Sequence, residues 1–263
     1  MIIQAQYLKN ISAERIRVEL TKLLVSDHPD KLLEAYVTGI TSYILPEFDK
    51  MMEQPQNNPY HRYNVGVHSI EAVKNIRPDV TMRWAALLHD VGKPATHTVD
   101  ENGIDHFFDH PEKGVPIAES ILRRLKFDNN TIKDVCTLVR WHDYGMGSVP
   151  KKGSIRKLLG EVGKDFFPYI IEIKKADMAA QSDYNLEERQ SQLAALEKKY
   201  EEIMASDDCV RIKDLKINGG DLIKLGIKPG PQMGEILQKL LDMVIEDPEK
   251  NDREYLIEQV KMM

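Results

Sequence analysis

Ala85-Ala86-Leu87-Leu88-His89-Asp90-Val91-Gly92-Lys93 is an apolar run that ends in an imidazole, a carboxylate, a glycine and a lysine. Its first four residues belong in the interior of a helical protein. Burying the polar groups that follow is costly unless they satisfy one another or a bound ion satisfies them. On a helix His89 and Asp90 point about 100° apart, yet both can converge on an ion over the helix end. Lys93 falls on the same side of the turn as both. A lone His-Asp pair at a helix terminus reads equally well as a cap, so the surrounding chain decides.

Residues 80–91 are expected as the helix that carries this pair. The helix before it covers Val65 to Ile76, has apolar residues at Val65, Ile70, Val73 and Ile76, carries His68, and is stopped by Arg77-Pro78. Further upstream, Ser12 caps a helix over 11–25 and Asp27-His28-Pro29 starts a second, with Leu32, Leu33, Tyr36, Val37 and Ile40 inward and Gly39 near its end. A third covers 43–52, and Gln54 to Asn64 is a loop. Downstream, short runs on either side of Asp100-Glu101-Asn102-Gly103 predict a β-hairpin over about 96–108. Helices resume at 111–126, 129–142, 152–160 and 165–180, followed by a polar one over 184–205. Beyond Asn218-Gly219-Gly220-Asp221 and a turn from Leu225 to Gly234, an amphipathic helix runs to about 246 and a last begins near 251. The expected fold is all-α, a helical bundle with one small hairpin. Its expected divisions are an N-terminal helical region (1–54), a metal-binding domain (55–182) and a C-terminal helical region (183–263).

The chain has 263 residues, and no window reaches the roughly 18 uninterrupted apolar residues of a membrane span. The start Met1-Ile2-Ile3-Gln4-Ala5-Gln6 lacks the pattern of a secretion signal. Cys136 and Cys209 suit a reduced compartment and form no metal knuckle, so a cytoplasmic protein is expected. A net charge of -6 argues against wholesale adhesion to nucleic acid or anionic lipid. Local basic faces remain: Arg123-Arg124, Lys126, and the run from Lys151-Lys152 to Arg156-Lys157.

Around His89-Asp90 the chain supplies His68 upstream, His110 and His142 downstream, and Asp177 within Lys174-Lys175-Ala176-Asp177. Each falls in or beside a predicted helix with an apolar face. Any one alone would be an ordinary core polar group; six converging from several helices make a bundle metal site. Imidazole and carboxylate without thiolate suit a divalent ion, manganese, iron, nickel, cobalt, zinc or magnesium, as one ion or as two bridged by Asp90. Such an ion acidifies bound water near neutral pH, and Lys93 would offset charge on a phosphate. Metal-assisted hydrolysis of a phosphoester is the direct chemical reading.

The order His68, His89-Asp90 with Gly92-Lys93, then Asp177, resembles the HD superfamily of metal-dependent phosphohydrolases. The resemblance implies that His68, His89, Asp90 and Asp177 bind a first metal. His110 and His142 match the extra histidines of the two-metal branch, in which Asp90 would bridge. It also implies catalytic parts for Asp90, Lys93, His110 and His142, on a nucleotide, a 2',3'-cyclic phosphate or an RNA end. A second resemblance spans nearly the whole chain. Asn10 to Leu20, the Leu45-Pro46-Glu47 turn, the His-Asp segment and the turn from Leu225 to Gly234 are similar to the HD-containing C-terminal half of bacterial tRNA nucleotidyltransferases, the CCA-adding enzymes. The Gly-rich loop followed by an Asp-x-Asp pair that this family uses for nucleotidyl transfer is missing from the sequence given. The resemblance therefore implies a chain that does not add nucleotides to tRNA by itself: a stand-alone relative, a partner of a separate nucleotidyltransferase chain, or the tRNA-binding half of a truncated enzyme. Asn64 stands where such enzymes often have Asp, a change that still permits helix capping. His61 and Gly230 are candidate substrate contacts, the latter through free amides of the Gly226-to-Pro231 turn that could hold an RNA phosphate.

Overall fold

A computed structural model describes residues 11–263; Met1 to Gln6 and Asn10, used above, lie outside the described residues. The chain divides into two compact units, residues 11–144 with 168–188, and residues 145–167 with 189–263. The fold is all-α with one small hairpin, as the periodicity predicts. No helix among the described residues is long and apolar enough to cross a membrane.

In the first unit the chain runs α1 (Ala13–Val25), α2 (Lys31–Val37), α3 (Thr41–Ile44), α4 (Pro46–Glu53), α5 (Val65–Lys74), α6 (Val80–Leu88) and the short α7 (Lys93–Thr96). Strands β1 (Thr98–Val99) and β2 (Asp105–His106) follow, then α8 (His110–Arg124) and α9 (Asn129–Trp141). After α10 (Lys152–Val162), which belongs to the second unit, α11 (Phe167–Ala180) returns to the first.

The organising element is α6. Met82 to Leu88 are all buried, and a helix buried on every face lies at the centre of its bundle. It packs against α1, α5 and α9. Trp84, fully buried, donates its indole N–H to Thr21 Oγ1 at 3.0 Å, tying α6 to α1. Arg83, also buried, donates to the carbonyls of Leu24 and Arg77. Side-chain caps set the helix starts: Ser12 for α1, Asn64 for α5, Asp79 for α6 and Asp128 for α9.

Three local expectations need correction. The helix expected over 80–91 ends at Leu88, and His89 and Asp90 occupy a tight turn in which Val91 N–H bonds Leu88 O and Lys93 N–H bonds Asp90 O. The helix expected over 43–52 is broken at Leu45 (φ -150°, ψ 61°), because the residue before Pro46 is pushed out of the helical region. Val37, expected inward, is 82% exposed as the last residue of α2. The hairpin pairs Thr98 with His106 and Val99 with Asp105, and its turn uses Gly103 at φ +75°, a conformation that favours glycine.

The second unit holds α10, α12 from Arg189 onward (Leu186–Ala205 in full), α13 (Gly219–Lys224), α14 (Pro231–Glu246) and α15 (Arg253–Met262). Leu222, Leu240, Val244 and Leu256 centre its apolar cluster. Arg156, read from sequence as part of a basic path, is instead buried. It donates to Asp208 Oδ2 at 2.7 Å and to Ile245 O at 2.8 Å. Asn218 and Asp221 form a reciprocal capping box on α13, and Arg253 bonds both Asp221 oxygens at 2.6 and 3.1 Å.

These bonds, from Arg253 first and from the Asn218 backbone next, lower the Asp221 pKa to about 2. A carboxylate depressed in the folded state contributes stability above its unfolded pKa, about 4, and loses it as pH falls through the folded value. Stability of this unit should therefore decline between pH about 4 and about 2, and Asp221→Asn should flatten that part of a urea-unfolding profile. An unchanged slope in the variant would contradict the assignment.

Candidate metal centre

Four histidines and two aspartates from separate parts of the first unit converge in its interior. His68 lies one turn into α5, His89 and Asp90 in the turn after α6, His110 is the first residue of α8, His142 follows α9, and Asp177 lies on α11. All six are buried, Asp90 and His89 almost completely.

Three of the imidazoles are fixed by one device. His89 Nδ1 is 2.8 Å from Ala86 O, His110 Nδ1 2.8 Å from Phe107 O, and His142 Nδ1 2.8 Å from Val139 O. A carbonyl only accepts, so each Nδ1 carries a proton and each Nε2 is left to face the cluster. His110 Nε2 and His142 Nε2 face each other at 3.1 Å. Two lone pairs at that distance repel unless a proton or a metal ion joins them.

The carboxylates complete the set. His68 Nε2 is 2.9 Å from Asp177 Oδ1 and 3.2 Å from His89 Nε2, and His89 Nε2 is 3.6 Å from the same Asp177 oxygen. Asp90 Oδ2 lies 3.3 Å from His89 and 3.4 Å from His68, while Oδ1 lies 3.2 Å from His110 and 3.7 Å from His142. Although buried, Asp90 Oδ2 accepts no well-formed hydrogen bond. Lys93 Nζ, 2.7 Å away, faces it as an ion. Gln181 Nε2 donates to both Asp177 oxygens at 3.1 Å and fixes that carboxylate.

Burial opposes charge throughout, but the partners outweigh it. His89 is raised to about 10 despite burial by the carboxylates of Asp90 and Asp177. His110 is raised for the same reason by Asp90. Asp90 is held well below the carboxylate range against burial by His89 and Lys93, and Asp177 by hydrogen bonds from His68 and His89. The cluster thus draws positive charge into a dry interior.

These donors fit a divalent ion. Metal–ligand bonds of about 2.1 Å place neighbouring ligands roughly 3.0 to 3.4 Å apart in octahedral or tetrahedral shells. The spacings above fall at or near that range. His68, His89 and Asp177 form one group able to hold an ion, and His89, Asp90 and His142 another.

The other predicted residues are placed differently. Lys93 is buried, donates to Gln56 Oε1 at 2.8 Å and lies over the Phe107 ring, so its ammonium is engaged inside the protein. His61 is half-buried, edge-on to His68 with ring centres 5.2 Å apart, and its Nδ1 has no hydrogen-bond partner. Burial, then the Lys93 and His68 charges, lowers its pKa to about 3. Gly230 is an exposed residue of the second unit, the N-cap of α14. Sequence reasoning missed Gln56 and Gln181, whose amides carry no spacing signal. It also missed Asp143, which contacts His110 and His142; its position directly after His142 was the available clue.

The fold is thus an all-α unit whose interior gathers the His, His-Asp and Asp set in the order read from the sequence, as a group able to hold a metal ion. The family described as "tRNA nucleotidyltransferase domain 2 putative" matches residues 114–260, and the chain belongs to it. A second description, "Probable RNA and SrmB- binding site of polymerase A", matches residues 1–52. An A-adding tRNA nucleotidyltransferase of Deinococcus radiodurans is 29% identical over 239 residues, 87% of this chain and 54% of that protein. A CC-adding tRNA nucleotidyltransferase of Thermus thermophilus is 29% identical over 87% of this chain and 52% of its own length. A multifunctional CCA protein of Actinobacillus pleuropneumoniae is 31% identical over 50% of this chain and 33% of that protein. The chain spans about half the length of the first and second of these relatives.

Gly92 shows why the stretch after Asp90 has no side chain there. A Cβ at Gly92 would sit 2.1 Å from His110 O and 2.6 Å from Gly114 N, both backbone atoms. Gly92→Ala should therefore displace the start of α8 with His110, cost roughly 1–3 kcal/mol, and weaken metal binding. Gly234→Ala, at a helical glycine with open space around it, should leave both intact. Thermal melting and metal titration of the two variants check this, and equal behaviour would contradict it.

Proposed function

We propose that this chain is the tRNA-facing, metal-centred part of a tRNA nucleotidyltransferase, acting with a nucleotidyl-transferring segment on the same or a separate chain. The observation that carries this reading is extent. Similarity to the A-adding and CC-adding enzymes runs over 87% of this chain and about half of theirs. The match of residues 1–52 to a probable RNA-binding segment supports the same partner. In the first unit a cleft of about 560 Å³ is lined by Arg17, Lys22 and Lys126 around Phe127. Cationic side chains beside an aromatic ring suit phosphates and a base.

The purified chain should bind tRNA at low salt, with affinity falling as salt rises. Lys22→Gln together with Lys126→Asn, chosen because Asn tolerates the positive φ of Lys126, should reduce that affinity. The log–log salt slope should become shallower by about 1–2 units. Fluorescence anisotropy measures both, and absence of tRNA binding at low salt would overturn the reading.

The facing Nε2 atoms of His110 and His142, 3.1 Å apart beside Asp90, favour a second activity of the same centre, metal-dependent hydrolysis of a phosphoester on a nucleotide, a 2',3'-cyclic phosphate or an RNA end. A divalent ion there supplies Lewis acidity and an acidified water. His68, His89, Asp90 and Asp177 would hold it, and Asp90 would orient it toward the substrate. Lys93, His110 and His142 would stabilise the phosphate, and His61, uncharged at neutral pH, would donate a ring N–H to one of its oxygens. His89→Ala and Asp177→Ala should abolish bound metal and hydrolysis of generic phosphodiesters while tRNA binding persists. Hydrolysis that survives in both variants would exclude this centre as its source.

A further inference from the structure

We infer that Tyr60 and Tyr184 form an aromatic lip beside the His-Asp cluster that stacks the nucleobase of a nucleoside phosphate. This rests on the phosphoester reading above and narrows it to substrates that carry a base. The two rings come from segments far apart in the chain, the 54–64 loop and the turn after α11, both within the first unit. Their centres are 5.0 Å apart and their planes 88° apart, so one presents its edge to the face of the other. Two rings at right angles make a corner, in which a flat base stacks on one ring and meets the other edge to face. In a fold that fully buries Phe48, Trp84 and Phe167, these tyrosines stay 38% and 48% exposed.

The lip is built onto the cluster. Ser182 N–H donates to Tyr60 O at 2.9 Å and Ser182 Oγ to Pro59 O, which joins the two segments. Arg62 donates to Gln181 O at 2.6 Å, and the Gln181 amide in turn holds both oxygens of Asp177. On the loop side His61 follows Tyr60 directly and sets its ring edge-on to His68. Tyr60 is thus one residue from the ring against His68, and Tyr184 three residues from the amide on Asp177. A phosphoester held at the cluster beside His61 carries its base to this corner. Stacking uses the π-face common to every base, so the lip selects base-bearing substrates over base-free ones without choosing among bases.

The test is isothermal titration calorimetry of the full chain with AMP and with ribose 5-phosphate, which share sugar and phosphate and differ by the base. The wild type should bind AMP about tenfold more tightly, within the range for one base on an aromatic ring. Tyr184→Ala should bring AMP down to the affinity of ribose 5-phosphate, and Tyr184→Phe, which keeps the ring, should keep the preference. Elemental analysis should find the same bound metal in all three proteins. Equal affinities in the wild type, or a preference that survives Tyr184→Ala, would overturn the inference. So would loss of metal and of both ligands in Tyr184→Ala, which would make the tyrosine a brace of Asp177 and no more. Hydrolysis of adenosine 2',3'-cyclic phosphate, followed separately, tells the two readings apart. Base preference without turnover removes the hydrolytic reading alone, and turnover without base preference removes the lip alone.

Discussion

The structure of the first unit depends on one buried carboxylate. Asp90 sits just after a helix buried from Met82 to Leu88, where a lone anion would cost several kcal/mol. Lys93 and four imidazoles surround it, and their own positions are set before any ion is considered. Three of those imidazoles are pinned through Nδ1 to the carbonyl three residues earlier. Each pin lies at a helix terminus, where backbone carbonyls or turns leave acceptors free. The same termini thus satisfy their own hydrogen bonds and aim Nε2 inward.

The surrounding loops serve this arrangement. Gly92 lets the backbone after Asp90 pass against the start of α8, so His110 approaches without a side chain between. The loop over 54–64 is tied to the hairpin. Asp105 N–H bonds Asn57 O, Asn57 N–H bonds Asp105 Oδ2, and His97 pairs with Asp105 at 2.7 Å. From that loop Gln56 holds Lys93 against Asp90. The hairpin, an oddity in a helical chain, braces the lysine. Asn64 accepts from Val67 N–H and caps α5 one turn before His68.

Much of this was legible in the sequence because the signals are local and periodic. Ser12 and Asn64 declare helix starts, Asn102-Gly103 declares the hairpin, and the run from Ala85 to Leu88 declares a buried helix. The six His and Asp residues were readable as one group because each lies within or at the edge of a predicted helix with an apolar face. What escaped depends on three-dimensional approach. Asp143 is part-exposed and looks like any loop carboxylate until His110 arrives from 33 positions earlier in the chain. Gln56 and Gln181 act through hydrogen bonds that no spacing rule encodes. Arg156 read as a surface cation and proved to be the buried partner of Asp208, a pairing set by distant packing. The break at Leu45 was carried by Pro46, but the apolar periodicity around it hid the interruption.

The central claim is that a dry, preformed set of nitrogen and oxygen donors around Asp90 is completed by a divalent ion. Anomalous diffraction from crystals equilibrated with Mn2+ tests it most directly. The account predicts a strong anomalous peak within bonding distance of His68 Nε2, His89 Nε2, Asp90 and Asp177, with those side chains in the positions described. A cluster with no anomalous density at saturating Mn2+, its imidazoles turned to bond one another or water instead, would contradict it.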